Sequence, residues 1–360
     1  MGRNARTVTE PRSFADELLI RADASSQIGT GHIMRCMALA QTWRQHGGGV
    51  TFLSHCTSSA LHSHIRDEGF SFQFLEQPHP SKADLQQTLN VARDLCSRTG
   101  RLWLIIDGYH LSPEYQLVLH SEGYRVLVID DMAEHPVHYC DILLNQNIHS
   151  QTLSYNCCSN TRYLLGPRYA LLRREFVIRE NGARAIPEIA RRILVTFGGA
   201  DSNNVTLKTV RALDRLQNPD LKIRIVIGPA NPNMERIRQE AGQLRLSVQT
   251  MTAVTDMPGL MAWADLAITA GGITCWELAM MGVPYLVLIT AENQEGIAHG
   301  LEKAGAAMNC GWFHTLTIQR FSDYLAKMIS DRHTRLDFIE KGRYLVDGLG
   351  AKRVVDHMRR

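Results

Sequence analysis

Short, wholly apolar segments that break off at an acidic residue or a glycine loop and give way to helical stretches constrain this chain more than any other feature. Residues 102–106 read Leu-Trp-Leu-Ile-Ile and stop at Asp107, and residues 285–289 read Tyr-Leu-Val-Leu-Ile. Runs of this length suit strands. A strand apolar on both sides must be covered on both sides, as in parallel sheets sandwiched by helices. The same alternation predicts strands near 18–20, 50–53, 70–75, 125–129 and 141–144, with helices over 32–45, 60–68, 83–96 and 114–121. From 151 to 187 the alternation lapses into what reads as a connector. It restarts with strands over 192–196, 223–227, 246–249, 266–269 and 285–289 and helices over 204–216, 234–241, 257–264, 275–281 and 294–304, then helical material over 318–331 and 333–346. The fold class is therefore α/β, with two Rossmann-like parallel-sheet domains facing a central cleft. The expected division is a tail over 1–17, an N-terminal domain over 18–183, a C-terminal domain over 184–332 and a helical extension over 333–360.

Composition narrows the function classes. The 360 residues are 44% hydrophobic and 21% charged, ample for a core, so disorder is excluded as the main state. Thirty-nine Lys and Arg against 36 Asp and Glu leave +3, too balanced for a dedicated nucleic-acid binder. No apolar run approaches the ~18 residues of a membrane span. The eight cysteines form no C-x-x-C, which argues against zinc ribbons and thioredoxin-like chemistry and suits a reducing cytosol. The polar start carries no apolar signal-peptide core. A cytoplasmic protein with no nucleic-acid or membrane partner is expected.

Three glycine loops stand at strand-to-helix junctions, where open parallel sheets gather ligands. The first, residues 25–32, reads Ser-Ser-Gln-Ile-Gly-Thr-Gly-His. Gly29 and Gly31 permit close approach of a ligand, and the following helix offers free N–H groups. It is neither a P-loop nor a dinucleotide fingerprint, because Met34 stands where a third glycine belongs. His32 at the helix start can serve as a base or merely pack against the loop. The second loop holds Gly198 and Gly199, which form a cleft wall or a plain turn. The third holds Gly271, Gly272, Thr274 and Glu277, a pattern able to cradle a diphosphate and accept hydrogen bonds from ribose hydroxyls; the bland alternative for Glu277 is the helix dipole. Asn293 and Gln294 leave the next strand and bind sugar hydroxyls or cap a helix. Asp107 and the Asp130–Asp131 pair end two strands, where metal binding, acid–base work and capping compete. His62-x-His64 is a weak metal pair, since the two diverge on a helix.

Taken together, the motifs resemble the UDP-sugar hydrolases of pseudaminic acid biosynthesis. The likeness runs in order through IRADASSQIGTGHIMR at 20–35, IIDGY at 105–109, VIDD at 128–131, LGPRYALL at 165–172, FGGAD at 197–201, GGITCWE at 271–277 and ENQ at 292–294. It extends from residue 18 to about residue 307. The resemblance implies a GT-B fold, shared with glycosyltransferases. It makes His32 the base that activates water, and it gives Gly271, Gly272, Thr274 and Glu277 the diphosphate and ribose. It puts Tyr109, Asn293 and Gln294 on the hexose, with Gly29, Gly31, Gly198 and Gly199 lining the substrate. The implied reaction is inverting hydrolysis of a UDP-sugar to UDP and a free di-N-acetylated deoxy hexose, without cofactor or metal. The implied setting is nonulosonic acid supply for flagellin glycosylation or cell-surface polysaccharide. The implied partner is the UDP-sugar, with a monomer compatible.

One departure bears on the sugar side. The family places histidine between the strand-end Asp and the Tyr, whereas here the order is Asp107-Gly108-Tyr109-His110. The tail and the segment after Ala307 have no assignable counterpart. The alternative function is a GT-B glycosyltransferase using the same donor with an alcohol acceptor. A third, a non-catalytic nucleotide-sugar binder, has no need of His32.

Overall fold

The computed structural model describes residues 16–25, 28–179, 185–228, 231–244 and 246–360. Most of the expected tail and the expected 183/184 boundary lie outside them. The N-terminal body is built on β1 (Glu17–Ala22), β2 (Gly49–Ser54), β3 (Ser71–Phe74), β4 (Leu102–Asp107), β5 (Arg125–Ile129), β6 (Ile142–Asn145) and β7 (Arg162–Leu165). They form one parallel sheet in the order β3-β2-β1-β4-β5-β6-β7. The C-terminal body is built on β8 (Arg192–Thr196), β9 (Lys222–Val226), β10 (Ser247–Met251), β11 (Leu266–Ala270), β12 (Tyr285–Ile289) and β13 (Met308–Trp312). Its parallel order is β10-β9-β8-β11-β12-β13.

Burial follows the apolar runs. Every residue of β4 and β12 is buried, whereas the edge strand β3, Ser-Phe-Gln-Phe, is largely exposed. Each sheet carries a hydrophobic cluster on either side, as strands apolar on both faces require. Helix starts are fixed locally. Ser58, Ser81, Ser112 and Thr317 accept amide hydrogen bonds at the first turn of their helices, and Pro113 occupies the first helical position after Ser112.

Three elements depart from the sequence reading. β7 lies within the supposed connector, and β13 follows Ala307; neither Arg-Tyr-Leu-Leu nor Met-Asn-Cys-Gly-Trp is a clean apolar run. The supposed single C-terminal extension divides. Helix Arg332–Leu345 packs on helix Thr274–Met281, while helix Gly350–Met358 returns to helix Gly31–Gln45. Ala351, Val354, Val355 and Met358 thereby join the core beneath Ile33, Met37, Ala40 and Trp43.

The strand order reverses direction between β1 and β4 and again between β8 and β11. At such switch points the loops leaving two adjacent strands diverge to opposite faces and open a crevice at the carboxyl ends. The first glycine loop and Asp107 flank one crevice; the second and third glycine loops flank the other.

Met358 is 1% exposed within the N-terminal core although it lies at the far end of the chain. Met358→Ala should destabilise the N-terminal body by about 2–4 kcal/mol, through lost burial plus a residual cavity. Chemical denaturation followed by tryptophan fluorescence checks this, since Trp43 sits in the same cluster.

Candidate active site

The three glycine loops meet. A Cβ added at Gly31 would lie 3.6 Å from Ile273 Cδ1, and one at Gly199 would lie 3.4 Å from Thr30 Oγ1. The first loop therefore touches both loops of the C-terminal body. Gly29 holds φ +78°, so a residue with a side chain there would be strained. On another side of the contact, Asn293 Nδ2 donates to Tyr109 Oη at 3.1 Å, joining the two bodies.

His32 lies in the first turn of helix Gly31–Gln45, and its Nδ1 is 2.6 Å from Asp107 Oδ1. Asp107 is fully buried, and burial alone would push its carboxyl up. Arg35 and His32 outweigh that and hold it well below the usual carboxylate range. An ionised carboxylate accepts only, so the fitting tautomer has Nδ1–H donating to Asp107 and Nε2 as the acceptor. This is the orientation a carboxylate imposes on a catalytic imidazole elsewhere.

Arg35, one helical turn further, fixes Asp107 in turn. Its Nε and Nη2 donate to Asp107 Oδ2 and Oδ1 at 2.7 and 2.6 Å, and its Nη1 donates to Asp131 Oδ2 at 2.7 Å. Asp131 also accepts from Tyr109 Oη at 2.7 Å and from Asn147 Nδ2 at 2.7 Å. Tyr109 stands edge-on to His32, ring centroids 5.1 Å apart. Burial and then Asp131 push its phenol well up, so it remains a donor at neutral pH.

The Asp130–Asp131 pair does two different jobs. Asp130 accepts from the amides of Met132 and Ala133 and from His138 Nε2, fixing its own loop. Asp131 supports Arg35 and Tyr109. His62 Nε2 is hydrogen-bonded to the carbonyl of Cys56 at 2.6 Å rather than paired with His64. Among the described residues, no three His, Cys, Asp or Glu side chains gather as a metal-binding group.

At the third loop, the amides of Gly271 and Gly272 are taken by the carbonyls of Leu288 and Ala270, at 3.2 and 2.8 Å. That leaves the amides of Ile273 and Thr274, at the mouth of helix Thr274–Met281, to meet an anion. Gln294 accepts from the amide and hydroxyl of Thr290, both at 2.9 Å, and its backbone packs against Gly271, so it shapes this loop. Glu277 is buried, which raises its pKa, and Arg173 Nη2 reaches its Oε1 at 3.3 Å.

Sequence reasoning missed Arg35 and Arg173 as site residues. Arg35 had a readable signal: it lies three residues after His32, on the same helical face, within a helix otherwise buried by apolar residues. Arg173 had none, because its partner lies 104 residues away.

Residues 192–341 match the Glycosyltransferase family 28 C-terminal domain. The chain is 30% identical over 346 residues to the Bacillus subtilis spore coat polysaccharide biosynthesis protein SpsG, covering 93% of this chain and 95% of that protein. It is 26% identical over 292 residues to the UDP-2,4-diacetamido-2,4,6-trideoxy-beta-L-altropyranose hydrolase of Campylobacter jejuni, covering 80% of this chain and 97% of the hydrolase. In architecture it is similar to the crystal structure of Acinetobacter baumannii MurG, with a TM-score of 0.63 at 17% identity over 96% of this chain and 99% of that one. The fold is GT-B-like. Among the described residues, no helix is long and apolar enough to cross a membrane.

Arg35→Leu should destabilise the protein by about 3–5 kcal/mol at pH 7, because it strands buried Asp107 and Asp131 without their cation. The sign with pH is definite. In the parent, Asp107 titrates below its unfolded value, so its stabilisation is complete above ~4 and is lost as pH falls through the folded value. In the variant only His32 opposes burial, so Asp107 should titrate higher than in the parent. The stability deficit should therefore narrow between pH 7 and pH 4, as measured by denaturant midpoints at both.

Proposed function

The chain belongs to the family of the Bacillus subtilis spore coat polysaccharide biosynthesis protein SpsG, and we propose that within it this chain is a UDP-sugar hydrolase acting in nonulosonic acid biosynthesis. It releases UDP and a free, di-N-acetylated deoxy hexose with inversion. The supporting observation is the His32–Asp107–Arg35 arrangement at the junction of the three glycine loops. A pure binder needs no imidazole whose tautomer is fixed by a buried carboxylate. The similarity to the Campylobacter jejuni hydrolase over 80% of the chain supports the same reading.

In this mechanism His32 Nε2 removes a proton from a water molecule as the oxygen attacks the anomeric carbon. Asp107 stabilises the imidazolium that forms. The bond from that carbon to the diphosphate oxygen breaks, and its electron pair leaves with UDP. One displacement inverts the anomeric centre. The growing charge on the diphosphate is met by the amides of Ile273 and Thr274 and the positive end of helix Thr274–Met281, with the Thr274 hydroxyl beside them. Glu277 accepts hydrogen bonds from ribose hydroxyls, with Arg173 keeping its buried carboxylate in place. Tyr109 and Asn293, already bonded to each other, face the hexose together with Gln294. The glycines at 29, 31, 198 and 199 let backbone come close to it.

A second reading, a glycosyltransferase, is favoured by the match of residues 192–341 to the family 28 domain. The same base would then deprotonate a sugar alcohol. Incubation with the UDP-sugar alone separates the two: release of UDP and free sugar supports the hydrolase, whereas release only after an acceptor is added supports the transferase.

His32→Ala should lower turnover by roughly 10²–10⁴-fold while leaving the Kd for UDP nearly unchanged. Steady-state rates and calorimetric titration with UDP check both halves. Unaltered turnover would remove His32 from the mechanism.

Glu277→Ala should weaken UDP binding by about 1.5–3 kcal/mol, the worth of hydrogen bonds to a charged group. Titration with UDP measures it. Insensitivity here, combined with loss of UDP binding on altering the first glycine loop, would move the nucleotide to the other body.

A further inference from the structure

The crevice between β1 and β4 holds two Arg–Asp–His constellations, not one. In the first, Asp107 at the end of β4 is gripped by Arg35 through two bonds and holds His32, from the first turn of the helix that the loop after β1 leads into. In the second, Asp23, just beyond β1, is gripped by Arg21 through bonds of 2.5 and 2.8 Å and holds His110, from the loop that follows β4. The segment that follows each strand thus gives its imidazole to the carboxylate of the other strand. The register pairs Ala22 with Asp107, so the two carboxylates belong to neighbouring strand ends.

His110 is not needed to satisfy Asp23. Asp23 Oδ1 already accepts from Arg21 Nη1 and from the amide of His55 at 2.6 Å, and its Oδ2 accepts from Arg21 Nη2. Arg21 is anchored again by Asp84, through bonds of 3.0 and 2.6 Å. The carboxylate is therefore a rigid mount, and the imidazole is what it carries. Burial would push the Asp23 carboxyl up, but His110 and Arg21 hold it well below the usual carboxylate range. In the neutral His110 ring, Nε2, 2.8 Å from this ionised oxygen, carries the proton and leaves Nδ1 as the acceptor. The side chain is 29% exposed, against 4% for Asp23.

Gly108 explains why the ring can sit there. A Cβ at position 108 would lie 2.8 Å from His110 Cε1 and 3.1 Å from Nδ1, so glycine leaves that edge of the ring uncovered. The adjoining Tyr109 accepts from Asn293 of the other body, so the loop that carries His110 also meets that body.

We infer that His110 is a specificity residue, and that its Nδ1 accepts a hydrogen bond from a hydroxyl or amide N–H of the UDP-linked sugar. The inference rests on the reading that a UDP-sugar occupies this cleft. It gives the Asp107-Gly108-Tyr109-His110 order a chemical role: glycine at 108 leaves room for the imidazole at 110, which Asp23 holds toward the sugar.

The experiment uses the His32→Ala protein, so that substrate is consumed slowly, and compares it with His32→Ala/His110→Gln and His32→Ala/Gly108→Ala. Each is titrated with UDP and with UDP-2,4-diacetamido-2,4,6-trideoxy-β-L-altropyranose, and thermal midpoints are recorded. The expected result is UDP-sugar binding roughly tenfold weaker in both double variants, with UDP affinity within twofold and unchanged midpoints. The Gly108→Ala arm keeps the test decisive if the His110 variant folds poorly. Unchanged UDP-sugar affinity overturns the assignment. So does a parallel loss of UDP affinity and thermal midpoint, which would make His110 a structural brace for Asp23. Failure of the unaltered protein to hydrolyse the UDP-sugar, with this binding pattern intact, would sink the hydrolase reading and leave His110 standing.

Discussion

One guanidinium organises the centre of this protein. Arg35 is buried between two carboxylates from different strands, Asp107 of β4 and Asp131 just beyond β5, and bonds both. Two buried anions so close would be intolerable without it, because desolvation removes the water that would otherwise screen them. With it, Asp107 stays ionised and can orient His32, and Asp131 stays in place to hold Tyr109. The imidazole, the phenol and, through Tyr109, the contact with Asn293 all inherit their positions from one side chain. Such a cluster contributes little net stability but defines a single geometry, which is what a base aimed at one water molecule requires.

The architecture was legible because its central strands are unambiguous. Residues 102–106 and 285–289 offer no polar face, so only a sheet covered on both sides accommodates them. β7 and β13 were not legible: Arg162 and Tyr163 of β7 are exposed, Asn309 and Gly311 interrupt β13, only Leu164 and Cys310 are fully buried, and their pairing comes from the neighbouring strand. The last helix was legible in principle, because Ala351, Val354, Val355 and Met358 recur at helical spacing; what no local pattern reveals is that this stripe faces the first helix of the chain rather than the last sheet.

The site divides in the same manner. Glycine loops at strand ends announce themselves, and the structure brings all three together. The charges that make the loops chemical do not. Asp130 and Asp131 look equivalent in sequence, yet one fixes its own turn and the other anchors Arg35. Arg173 and Glu277 meet only because the segment between the bodies passes the start of helix Thr274–Met281. Tertiary pairing of buried charges leaves no periodicity to read.

The return of helix Gly350–Met358 to the N-terminal body has a consequence for synthesis on the ribosome. The core formed by Ile33, Met37, Ala40 and Trp43 is completed by Ala351, Val354, Val355 and Met358, which follow the whole C-terminal body in the chain. During translation, at about 5–20 residues per second, that face of the first helix stays uncovered until residue 358 has been made and has left the ribosome. The clusters on the two sides of the C-terminal sheet, by contrast, draw on no buried residue beyond Val346 among the described residues. The half whose strands are made first is thus the half whose core closes last, and the nascent chain carries an open apolar groove while the whole C-terminal body is being made.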